Sequence, residues 1–485
     1  MNVPKEVDHS QQDLSERSHR ALQDEFLRSA VRFTVDRLRS KKKSSTEHLP
    51  HWEDLREQGR AIRSHTIAHL DAYLGQFAKH VRAAGGQVHF ATDAREANAR
   101  VLEIVRQKEA RSVIKSKSMV SEEIEVNHHL EAAGIDVVES DLGEYIIQLA
   151  GETPSHIIIP SIHKNREQIK DLFTADGGAD LTTDTKVLAS FARRRMRERF
   201  LQADIGMTGC NFGIAESGTI VLFTNEGNAD MVANLPKTHI VLMGMERVLP
   251  SLADLEVIAN LLPRSATGQK LTTYMSMITG TKRPGEVDGA QELHVIILDN
   301  GRSKQLGDEH FQEVLNCIRC GACLNVCPVY RQIGGHAYGS VYPGPIGAVL
   351  TPLLEESDAH DDLPYASSLC GACYEACPVK IPLHEMLVKL RQRKVRAGKT
   401  SPQERALMKG FAWGFGNHRR YRLMMKAGRL VQMPLVKKGQ IDAAFGPLSA
   451  WTASRAAPML AATSFRERWP SLEQTLTANK GDDKA

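Results

Sequence analysis

The sequence lacks any long apolar run, since no stretch approaches eighteen consecutive apolar residues. A helix that crosses a bilayer needs about twenty such residues, so no transmembrane helix is predicted. The first ten residues are polar and hold nothing like the apolar segment of a secretory signal. We therefore expect a cytoplasmic protein. The formal net charge is only +4, which says little about partners.

Two nucleotide-binding signatures are also missing. No Gly-x-Gly-x-x-Gly follows a predicted strand, and the sequence contains no P-loop. A nicotinamide or flavin site of the Rossmann type is therefore not indicated. Cysteine is scarce outside one region, because Cys210 is the only cysteine that lies outside 317–377. Cysteines clustered in this way in an intracellular chain usually bind metal rather than form disulfides.

What the sequence does contain is a pair of cysteine runs of iron–sulfur type. The first run matches the bacterial ferredoxin signature in full, including the proline after its fourth cysteine. The second run repeats that spacing without the first cysteine. In chain order the runs are Cys317-x2-Cys320-x2-Cys323-x3-Cys327-Pro328 and Cys370-x2-Cys373-x3-Cys377-Pro378. Cubane clusters carry electrons, so this pattern predicts a redox protein.

The spacing also predicts which cysteines share a cluster. In two-cluster ferredoxins the fourth cysteine of each run ligates the other cluster. Cluster 1 would then be held by Cys317, Cys320, Cys323 and Cys377, and cluster 2 by Cys327, Cys370 and Cys373. Structural zinc also uses Cys-x2-Cys pairs, but it has no use for three cysteines at that spacing followed by x3-Cys-Pro.

Cluster 2 is one cysteine short in this assignment. Alignment of the two runs places Ser367 where the missing cysteine is expected. Three outcomes are open: a [3Fe–4S] cluster, a [4Fe–4S] cluster with an oxygen or outside ligand, or a fourth thiolate from Cys210. An unsaturated iron would also offer a substrate site, which is the least favoured interpretation.

At 485 residues the chain is too long for one ordinary domain. We predict four segments: a charged helical arm (1–59), an α/β domain (60–302), a two-cluster domain (303–390) and a basic helical region (391–485). Strand and helix patterns alternate in the second segment, which favours a largely parallel sheet. The elements predicted around it include a continuous helix over 53–84, a helix over 121–133 and a strand at 157–159.

A second candidate site lies near the predicted strands of the α/β domain. Lys115 and Lys117 lie at the end of one strand, and Ser217 and Thr219 lie in a glycine-rich turn before another. Ligands of open α/β sheets bind at strand ends, where positive charge, hydroxyls and backbone N–H groups suit a small carboxylate or phosphate. The alternative is ordinary turn chemistry, which composition alone favours because glycine-rich turns are common in α/β folds.

The region after the cysteine runs is strongly basic. Between Lys380 and Gln440 the chain has 16 Lys and Arg residues against two acids, Glu385 and Glu404. Such a surface suits docking of an acidic partner, or peripheral contact with the inner face of an anionic membrane. Solvated helix faces explain the charge equally well. Nucleic acid is the least favoured partner, because no binding module accompanies the charge.

The sequence also resembles a known family. The motifs that carry the resemblance are Lys115-Ser116-Lys117-Ser118-Met119, Asp141-Leu142-Gly143-Glu144-Tyr145-Ile146, Glu216-Ser217-Gly218-Thr219 and Thr224-Asn225-Glu226-Gly227-Asn228. They are similar to the lactate-utilisation (LUD) domain. With the cysteine runs and the basic region behind that domain, nearly the whole chain resembles the iron–sulfur proteins of bacterial lactate utilisation.

The resemblance implies an α/β domain of the fold shared by sugar-phosphate isomerases and formyltetrahydrofolate cyclo-ligases, followed by a ferredoxin-like helical domain with two clusters. It implies electron carriage in the oxidation of L-lactate to pyruvate, which enables growth on lactate. It also implies two partners, one rich in Cys-Cys-Gly motifs and the other a second LUD protein. Members of the family likewise carry three cysteines in the second run, so Ser367 is no departure and the fourth ligand stays unassigned.

Two other functions fit the same residues. One is an iron–sulfur subunit of another 2-hydroxy-acid dehydrogenase. The other is a LUD-domain enzyme whose clusters serve structure or sensing.

Overall fold

The computed structural model describes residues 13–355, 358–442, 449–452 and 455–482. The chain divides into two compact units, and the division falls between Arg393 and Lys394. The first unit holds both the α/β sheet and the cysteine runs. Among the described residues, no helix combines the length and the apolar character needed to span a bilayer.

A six-stranded parallel sheet forms the centre of the first unit. Its strands are β1 (Gln87–Ala91), β2 (Ser112–Lys115), β3 (Asp136–Glu139), β4 (Ile205–Thr208), β7 (Thr238–Gly244) and β10 (Glu292–Leu298). Their order across the sheet is β1-β10-β7-β4-β2-β3, and every neighbouring pair is parallel. All residues of β4 and β7 are buried, as expected for parallel strands covered on both faces.

A second sheet extends from the carboxyl edge of the first. Its strands are β5 (Phe212–Ile214), β6 (Thr219–Thr224), β8 (Val248–Leu249) and β9 (Tyr274–Ile278), in the order β8-β5-β6-β9. β5 begins shortly after β4 ends, and β8 begins shortly after β7 ends. Two strands of the second sheet therefore start just beyond the ends of two central strands, which places the smaller sheet at the carboxyl end of the larger one.

Helices precede and connect the strands of the two sheets. They are α1 (Leu14–Gln23), α2 (Glu25–Glu47), α3 (Trp52–Ala68), α4 (Leu70–Ala83), α5 (Ala94–Gln107), α6 (Met119–Glu123), α7 (Val126–Ala132), α8 (Leu142–Ala150), α9 (Arg166–Ala175), α10 (Thr185–Gln202), α11 (Asn228–Asn234) and α12 (Leu252–Ala266). Local sequence fixes several of the starts. Ser251 and Asp254, for example, form a reciprocal capping box at the first turn of α12.

The cysteine region is helical and built from short pieces. Its helices are α13 (Ser303–Leu306), α14 (Ala322–Val326), α15 (Tyr330–Ile333), α16 (Gly344–Leu354), α17 (Ala372–Ala376) and α18 (Leu383–Arg396). Turns of 3₁₀ helix, such as Gln312–Asn316, join them.

The second unit has helices and a small antiparallel sheet. The helices are α19 (Pro402–Phe415), α20 (His418–Gln432), α21 (Ser449–Thr452) and α22 (Phe465–Asp482), and the strands are β11 (Val436–Lys437), β12 (Gln440–Ile441) and β13 (Ala457–Pro458). No residue of α20 is buried.

One hydrophobic core continues from the sheets into the cysteine region, and it includes both Phe77 of α4 and Leu324 of α14. Arg63 of α3 is fully buried at the junction. Its guanidinium donates to the carbonyls of Glu246 (2.5 Å), Val248 (2.7 Å), Leu315 (3.0 Å) and Asn316 (3.4 Å). The first two carbonyls follow β7 and the last two lead into the first cysteine run, so one side chain ties the sheet to the cysteine region.

Three elements differ from the sequence predictions. Residues 157–159 form no strand, because Nδ1 of His156 accepts the backbone N–H groups of Ile158 (3.0 Å) and Ile159 (3.2 Å) and holds them in a local turn. The helix predicted over 53–84 is broken at His69 into α3 and α4. The helix predicted over 121–133 is interrupted at Glu125, where φ is 52°. A periodic apolar pattern continues through such single-residue breaks and so does not reveal them.

Candidate iron–sulfur centre and the cavity beside it

The two cysteine runs fold into loops of the same backbone shape. In each loop a residue with left-handed backbone precedes the Cys-Gly-Ala-Cys segment, with φ of 58° at Arg319 and 55° at Leu369. The glycines that follow are also left-handed, with φ of 71° at Gly321 and 79° at Gly371. Left-handed backbone costs roughly 1–2 kcal/mol for a residue with a Cβ. Its recurrence at Arg319 and Leu369 therefore points to a loop shape held for function.

A short helix follows each loop. These helices, α14 and α17, have five residues each and pack against each other. Each helix ends at the last cysteine of its run, Cys327 or Cys377, and proline follows. Because the helices pack together, the last cysteine of each run comes close to the loop of the other run.

Four thiols form a first group. Burial, together with the neighbouring thiols of Cys377 and Cys317, raises the pKa of Cys320 to about 12. Burial and the thiols of Cys317 and Cys320 likewise raise the pKa of Cys323. The same four cysteines line one small cavity. The structure therefore brings together the cysteines that the crossed spacing rule assigns to cluster 1.

Three thiols form a second group. Burial and the neighbouring Cys327 thiol raise the pKa of Cys373 to about 12, and Cys370 contributes in the same direction. Cys370 itself is exposed, and its pKa is lowered because the backbone N–H of Ala372 and the side chain of Ser368 bond to it. These are the three cysteines that the spacing rule assigns to cluster 2.

Both groups suit a metal cluster by their chemistry. Five of the seven thiols are buried and have a raised pKa, namely Cys320, Cys323, Cys327, Cys373 and Cys377. Such thiols do not ionise alone at neutral pH, so their thiolates form only with bound positive charge, which iron supplies. Backbone amides already face the sulfur atoms. The N–H groups of Arg319, Tyr330 and Ile381 lie 3.4, 3.5 and 3.4 Å from Sγ of Cys317, Cys327 and Cys377. Hydrogen bonds to cluster sulfurs are one of the means by which proteins set cluster potentials.

Two cations from the N-terminal helices lie beside the first group. Lys42 of α2 donates to the carbonyl of Ala376, and its charge acts on Cys320, Cys377 and Cys323. Arg56 of α3 donates to the carbonyl of Cys377 at 3.0 Å. Residues of the predicted arm thus form part of the wall around the first group.

The structure does not place a fourth thiol at the second group. Ser367 Oγ accepts the N–H of Leu369 at 3.1 Å, whereas the side chain of Ser368 contacts the Cys370 thiol. Cys210 lies in another place, where burial raises its pKa to about 12 and Arg247 is the charged group that acts on it. Among the described cysteines, none is positioned to complete the second group.

A cavity of 290 Å³ opens at the carboxyl ends of the central strands. Strands β2 and β4 are neighbours, but the chain leaves β2 toward β3 on one side and leaves β4 toward β7 on the other. Such a topological switch point leaves a crevice in which open α/β sheets bind ligands. The cavity is lined by residues 116–118 after β2 and 209–211 after β4. These segments approach closely, since a Cβ at Gly209 would lie 2.7 Å from Ser118 Oγ.

Charged side chains form the wall of this cavity next to the cysteine loops. Arg319 of the first loop lines it together with Glu246 and Arg247. Glu246 accepts hydrogen bonds from Arg302 at 2.6 Å and from Arg319 at 3.3 Å. Burial by itself would raise the pKa of Glu246, but Arg302, Arg319 and Arg247 lower it to about 2. Arg319 also borders the small cavity of the first thiol group, so it lies between the larger cavity and those thiols.

The predicted carboxylate-binding lysines have different surroundings. Lys117 lines the cavity. Lys115 is fully buried and forms ion pairs of 2.7 Å with both Glu122 and Glu139. Burial would lower the pKa of Lys115, but these two carboxylates raise it above its ordinary value. The charge of Lys115 is therefore already matched within the protein.

Ser217 lies in the turn between β5 and β6, and Thr219 is the first residue of β6. Their hydroxyls are 2.7 Å apart, and Thr219 bonds on to Thr279 at 2.7 Å. Gly218 between them packs against α4, where a Cβ would lie 2.5 Å from the backbone nitrogen of Val81. Neither hydroxyl lines the cavity, so the structure does not bring Ser217 and Thr219 together with Lys117.

Sequence reasoning missed two cavity residues, Arg247 and Arg319. Arg247 lies just past the end of β7, so the strand-end rule that selected Lys117 would have selected it as well. The signal at Arg319 is a basic residue inside a cysteine loop. Its partner Glu246 comes from a distant part of the chain, and no local pattern connects the two.

Comparisons with known proteins cover nearly the whole chain. Three family models match in order: the LUD domain at residues 74–298, a 4Fe-4S dicluster domain at 313–381, and the C-terminal domain of lactate utilisation protein B at 389–474. The lactate utilization protein B of Oceanobacillus iheyensis is 51% identical over 455 residues, which are 94% of this chain and 95% of that protein. Proteins of the same name from Macrococcus caseolyticus and Bacillus pumilus are 52% and 50% identical, over 92% and 93% of this chain and 94% and 96% of theirs.

This chain belongs to the lactate utilisation protein B family. Membership confirms the expected order of a LUD domain followed by a two-cluster helical region. The dicluster match spans all seven cysteines of the two groups, so iron–sulfur clusters are the cofactors of this chain. A crystal structure of a DUF162 family protein from Deinococcus radiodurans covers 47% of this chain and 98% of that one, at 15% identity and a TM-score of 0.28, which is too low to add to the assignment.

Proposed function

We propose that this protein carries electrons in the oxidation of L-lactate to pyruvate, as an iron–sulfur component of lactate utilisation. The observation that carries the proposal is the gathering of seven thiols into two neighbouring groups, in a chain about half identical to proteins named for lactate utilisation. When bound, iron–sulfur clusters accept and release single electrons. Oxidation of lactate to pyruvate releases two electrons, which suits a protein with two such groups.

The ligand sets follow the two thiol groups. We assign Cys317, Cys320, Cys323 and Cys377 to cluster 1, and Cys327, Cys370 and Cys373 to cluster 2. Both clusters are proposed to be of the [4Fe–4S] type, and the second then takes an oxygen or an outside ligand; a [3Fe–4S] cluster is the alternative. Ser368 is a better-placed oxygen than Ser367, because it contacts Cys370 while Ser367 Oγ already accepts an N–H.

The two thiol groups differ in burial, which suits them to different tasks. The first group is enclosed, with Cys320 and Cys323 buried and Lys42 adjacent, which excludes water and favours negative charge there. Cys370 of the second group is exposed, so a redox centre on another protein can approach it. We infer that electrons leave or arrive through the second group.

The proposed partners are the Cys-Cys-Gly iron–sulfur protein and the second LUD protein of lactate utilisation. Helices α19 and α20 offer a basic surface on which an acidic partner, or an anionic membrane face, would dock. No residue of α20 is buried, and Leu423 and Leu430 are among its exposed apolar residues. Association through such a surface should weaken as salt is raised.

Electron paramagnetic resonance on anaerobically prepared full-length protein tests the proposal. With the partner proteins present, L-lactate should reduce the clusters. Cys320→Ser should remove the cluster 1 signal and stop lactate-dependent electron flow. Cys210→Ser removes the one cysteine outside both groups, and it should keep both cluster signals. Lactate oxidation at the wild-type rate in Cys320→Ser would refute the electron-carrier role.

A second candidate function is catalysis by the LUD domain, with clusters that serve structure or sensing. The cavity at the switch point between β2 and β4 favours it. Substrate turnover by the full chain without any electron acceptor would support this function. Faster cluster reduction by another 2-hydroxy acid than by L-lactate would instead indicate a different dehydrogenase.

A further inference from the structure

Arg247 is a buried guanidinium without a carboxylate partner. It is 5% exposed, and no ion pair among the described residues includes it. Within the described part of the chain its side chain makes one hydrogen bond, from Nη1 to the carbonyl of Cys317 at 2.8 Å. The guanidinium also lies over the ring of Phe212, 5.2 Å from its centroid. An unpaired charge is costly to bury, so this position is suited to a bound anion.

Other buried charges surround Arg247. Four guanidinium groups, those of Arg63, Arg247, Arg302 and Arg319, lie here with two carboxylates, Glu123 and Glu246. Arg302 pairs with Glu123 at 2.8 Å and with Glu246 at 2.6 Å, and Arg319 pairs with Glu246 at 3.3 Å. Arg63 is bonded to four backbone carbonyls, so among the described residues Arg247 is the guanidinium of this group that has neither an ion pair nor a full set of acceptors. The Cys317 thiolate is a further negative group that acts on Arg247.

Arg319 adds a second unfilled donor to this wall. Its Nη1 is buried and has no hydrogen-bond partner among the described residues, although its Nη2 is bonded to Glu246. Both Arg247 and Arg319 line the cavity at the switch point. Two guanidinium groups with free N–H donors suit an oxyanion, and paired N–H donors match the two oxygens of a carboxylate.

Two carboxylates, Asp141 and Glu226, also line the cavity beside Lys117, so the anion-binding part is the wall formed by Arg247 and Arg319. The remaining lining suits an organic acid better than an inorganic ion. Apolar side chains form one side, including Leu222, Leu262 and Ala266. Ser116 and Asn211 line it at the strand ends and bring a hydroxyl and an amide. The volume of 290 Å³ is near the lower end of the range of about 300–1,000 Å³ for small-molecule pockets.

We propose that this cavity binds a small organic carboxylate of the 2-hydroxy or 2-oxo acid class, with its carboxylate held by Arg247 and Arg319. The choice of acid rests on the proposed function, whereas the anion site itself rests on the unpaired arginines. The hydroxyl or amide groups of Ser116 and Asn211 are available to the oxygen on the second carbon. Since Arg319 belongs to the first cysteine loop, the bound acid lies beside the ligands of cluster 1.

Calorimetric titration of the cluster-loaded, full-length protein with L-lactate, pyruvate and inorganic phosphate tests the site. We expect both acids to bind. Arg247→Gln should weaken their binding by about 10- to 100-fold, because a hydrogen-bonded charge pair is lost. Arg193→Gln is the matched control, since Arg193 is an exposed arginine of α10, and its affinities should equal those of the wild type.

Ala266→Phe provides a second variant that keeps every charge and every cysteine. It fills the apolar side of the cavity, so acid binding should be lost while iron content and both paramagnetic signals are kept. Unchanged acid binding in Arg247→Gln and Ala266→Phe would overturn the inference, and so would phosphate binding without binding of either acid.

The wild type separates this inference from the proposed function. If it binds neither acid but still carries electrons from lactate, this inference alone is overturned. Retained acid binding without electron flow would overturn the electron-carrier role alone.

Discussion

The two cysteine loops share one backbone shape but lie in different surroundings. In the first loop Cys320 and Cys323 are buried, and Arg319 is held by Glu246. A Cβ on Gly321 would meet Ile158 at 3.3 Å. In the second loop Cys370 is exposed, and the space around Gly371 is open.

The difference comes from the rest of the chain and not from the motif. The α/β domain covers the first loop through residues such as Ile158 and Glu246, and it leaves the second loop open. Arg319 therefore connects the first thiol group to the cavity at the switch point, while in the second group Cys327 and Cys373 are buried and Cys370 faces the outside. One repeated motif thus gives an inner and an outer redox site.

The largest expected effect is from removing the arginine that fixes the first loop to the α/β domain. Arg63→Met keeps an apolar side chain of similar length but leaves the carbonyls of Glu246, Val248, Leu315 and Asn316 without their donor. We expect the free energy of unfolding to fall by about 3–5 kcal/mol, the usual cost of breaking a buried charge site. Anaerobic urea denaturation measures this loss of stability. In the wild type the enclosed cluster 1 should lose iron to a chelator more slowly than cluster 2, and in Arg63→Met the two clusters should lose iron at about the same rate.

Arg60→Met is the matched control for that variant. Arg60 lies on the same helix, is partly exposed, and pairs with Glu313 at 3.0 Å. Exposed pairs contribute only about 0–1 kcal/mol, so a small loss is expected. Equal losses of stability in Arg60→Met and Arg63→Met would show that the buried contacts do not fix the first loop.

Thiol reactivity in iron-free, reduced protein gives the next effect. The thiolate is the reacting form. Cys370 is exposed and its pKa is lowered, chiefly by the Ala372 N–H, whereas burial and neighbouring thiols raise the pKa of Cys320 to about 12. At pH 7 only about one in 10⁵ of the Cys320 side chains is then a thiolate. Iodoacetamide should modify Cys370 at least about 100-fold faster, as followed by mass spectrometry.

The pH dependence of the same reaction sharpens the contrast. A group below its pKa gains about tenfold in thiolate for each pH unit. The rate at Cys320 should therefore keep rising from pH 7 to pH 10, while the rate at Cys370 levels off earlier because its pKa is lowered. Parallel profiles at the two cysteines would contradict an inner and an outer site.

The sequence predicts most where chemistry is local. The spacing of the two runs indicates the grouping of the seven cysteines because a few residues determine which sulfurs one loop can present. The apolar strands of the parallel sheet are predicted for a similar reason, since burial on both faces requires continuous apolar residues. The turn at 157–159 could not be predicted in this way. The side chain of His156 accepts two backbone N–H groups that a strand would donate to its neighbour.

The cavity could not be predicted in the same way. Arg247 and Arg319 lie far apart in the sequence, and only the packing of the first loop on the sheet brings them to one wall. Ser217 and Thr219 had the right chemistry, but Gly218 packs their turn against α4. Strand-end motifs in the sequence therefore indicate the edge of the sheet at which the cavity lies. Tertiary contacts decide which partner each charged side chain has there.

A smaller effect should distinguish the glycines of the two loops. Gly321→Ala and Gly371→Ala both place a Cβ in left-handed backbone, which costs about 1–2 kcal/mol. Only the first also presses on neighbours, at 3.3 Å from Ile158 and 3.5 Å from His156. We expect Gly321→Ala to lower the free energy of unfolding by up to about 1 kcal/mol more than Gly371→Ala. Equal values would mean that the first loop is not packed against the α/β domain.

The smallest expected effect concerns the oxygen beside the outer site. Ser368→Ala removes the side chain that contacts Cys370, and Ser367→Ala removes the acceptor of the Leu369 N–H. If a serine completes cluster 2, Ser368→Ala should alter the paramagnetic signal of that cluster alone, while Ser367→Ala should leave it unchanged. A changed signal in Ser367→Ala alone would contradict this ranking of the two serines. If neither variant changes it, the remaining ligand comes from solvent or from a partner, and the exposure of Cys370 makes the second loop the one that another molecule can reach.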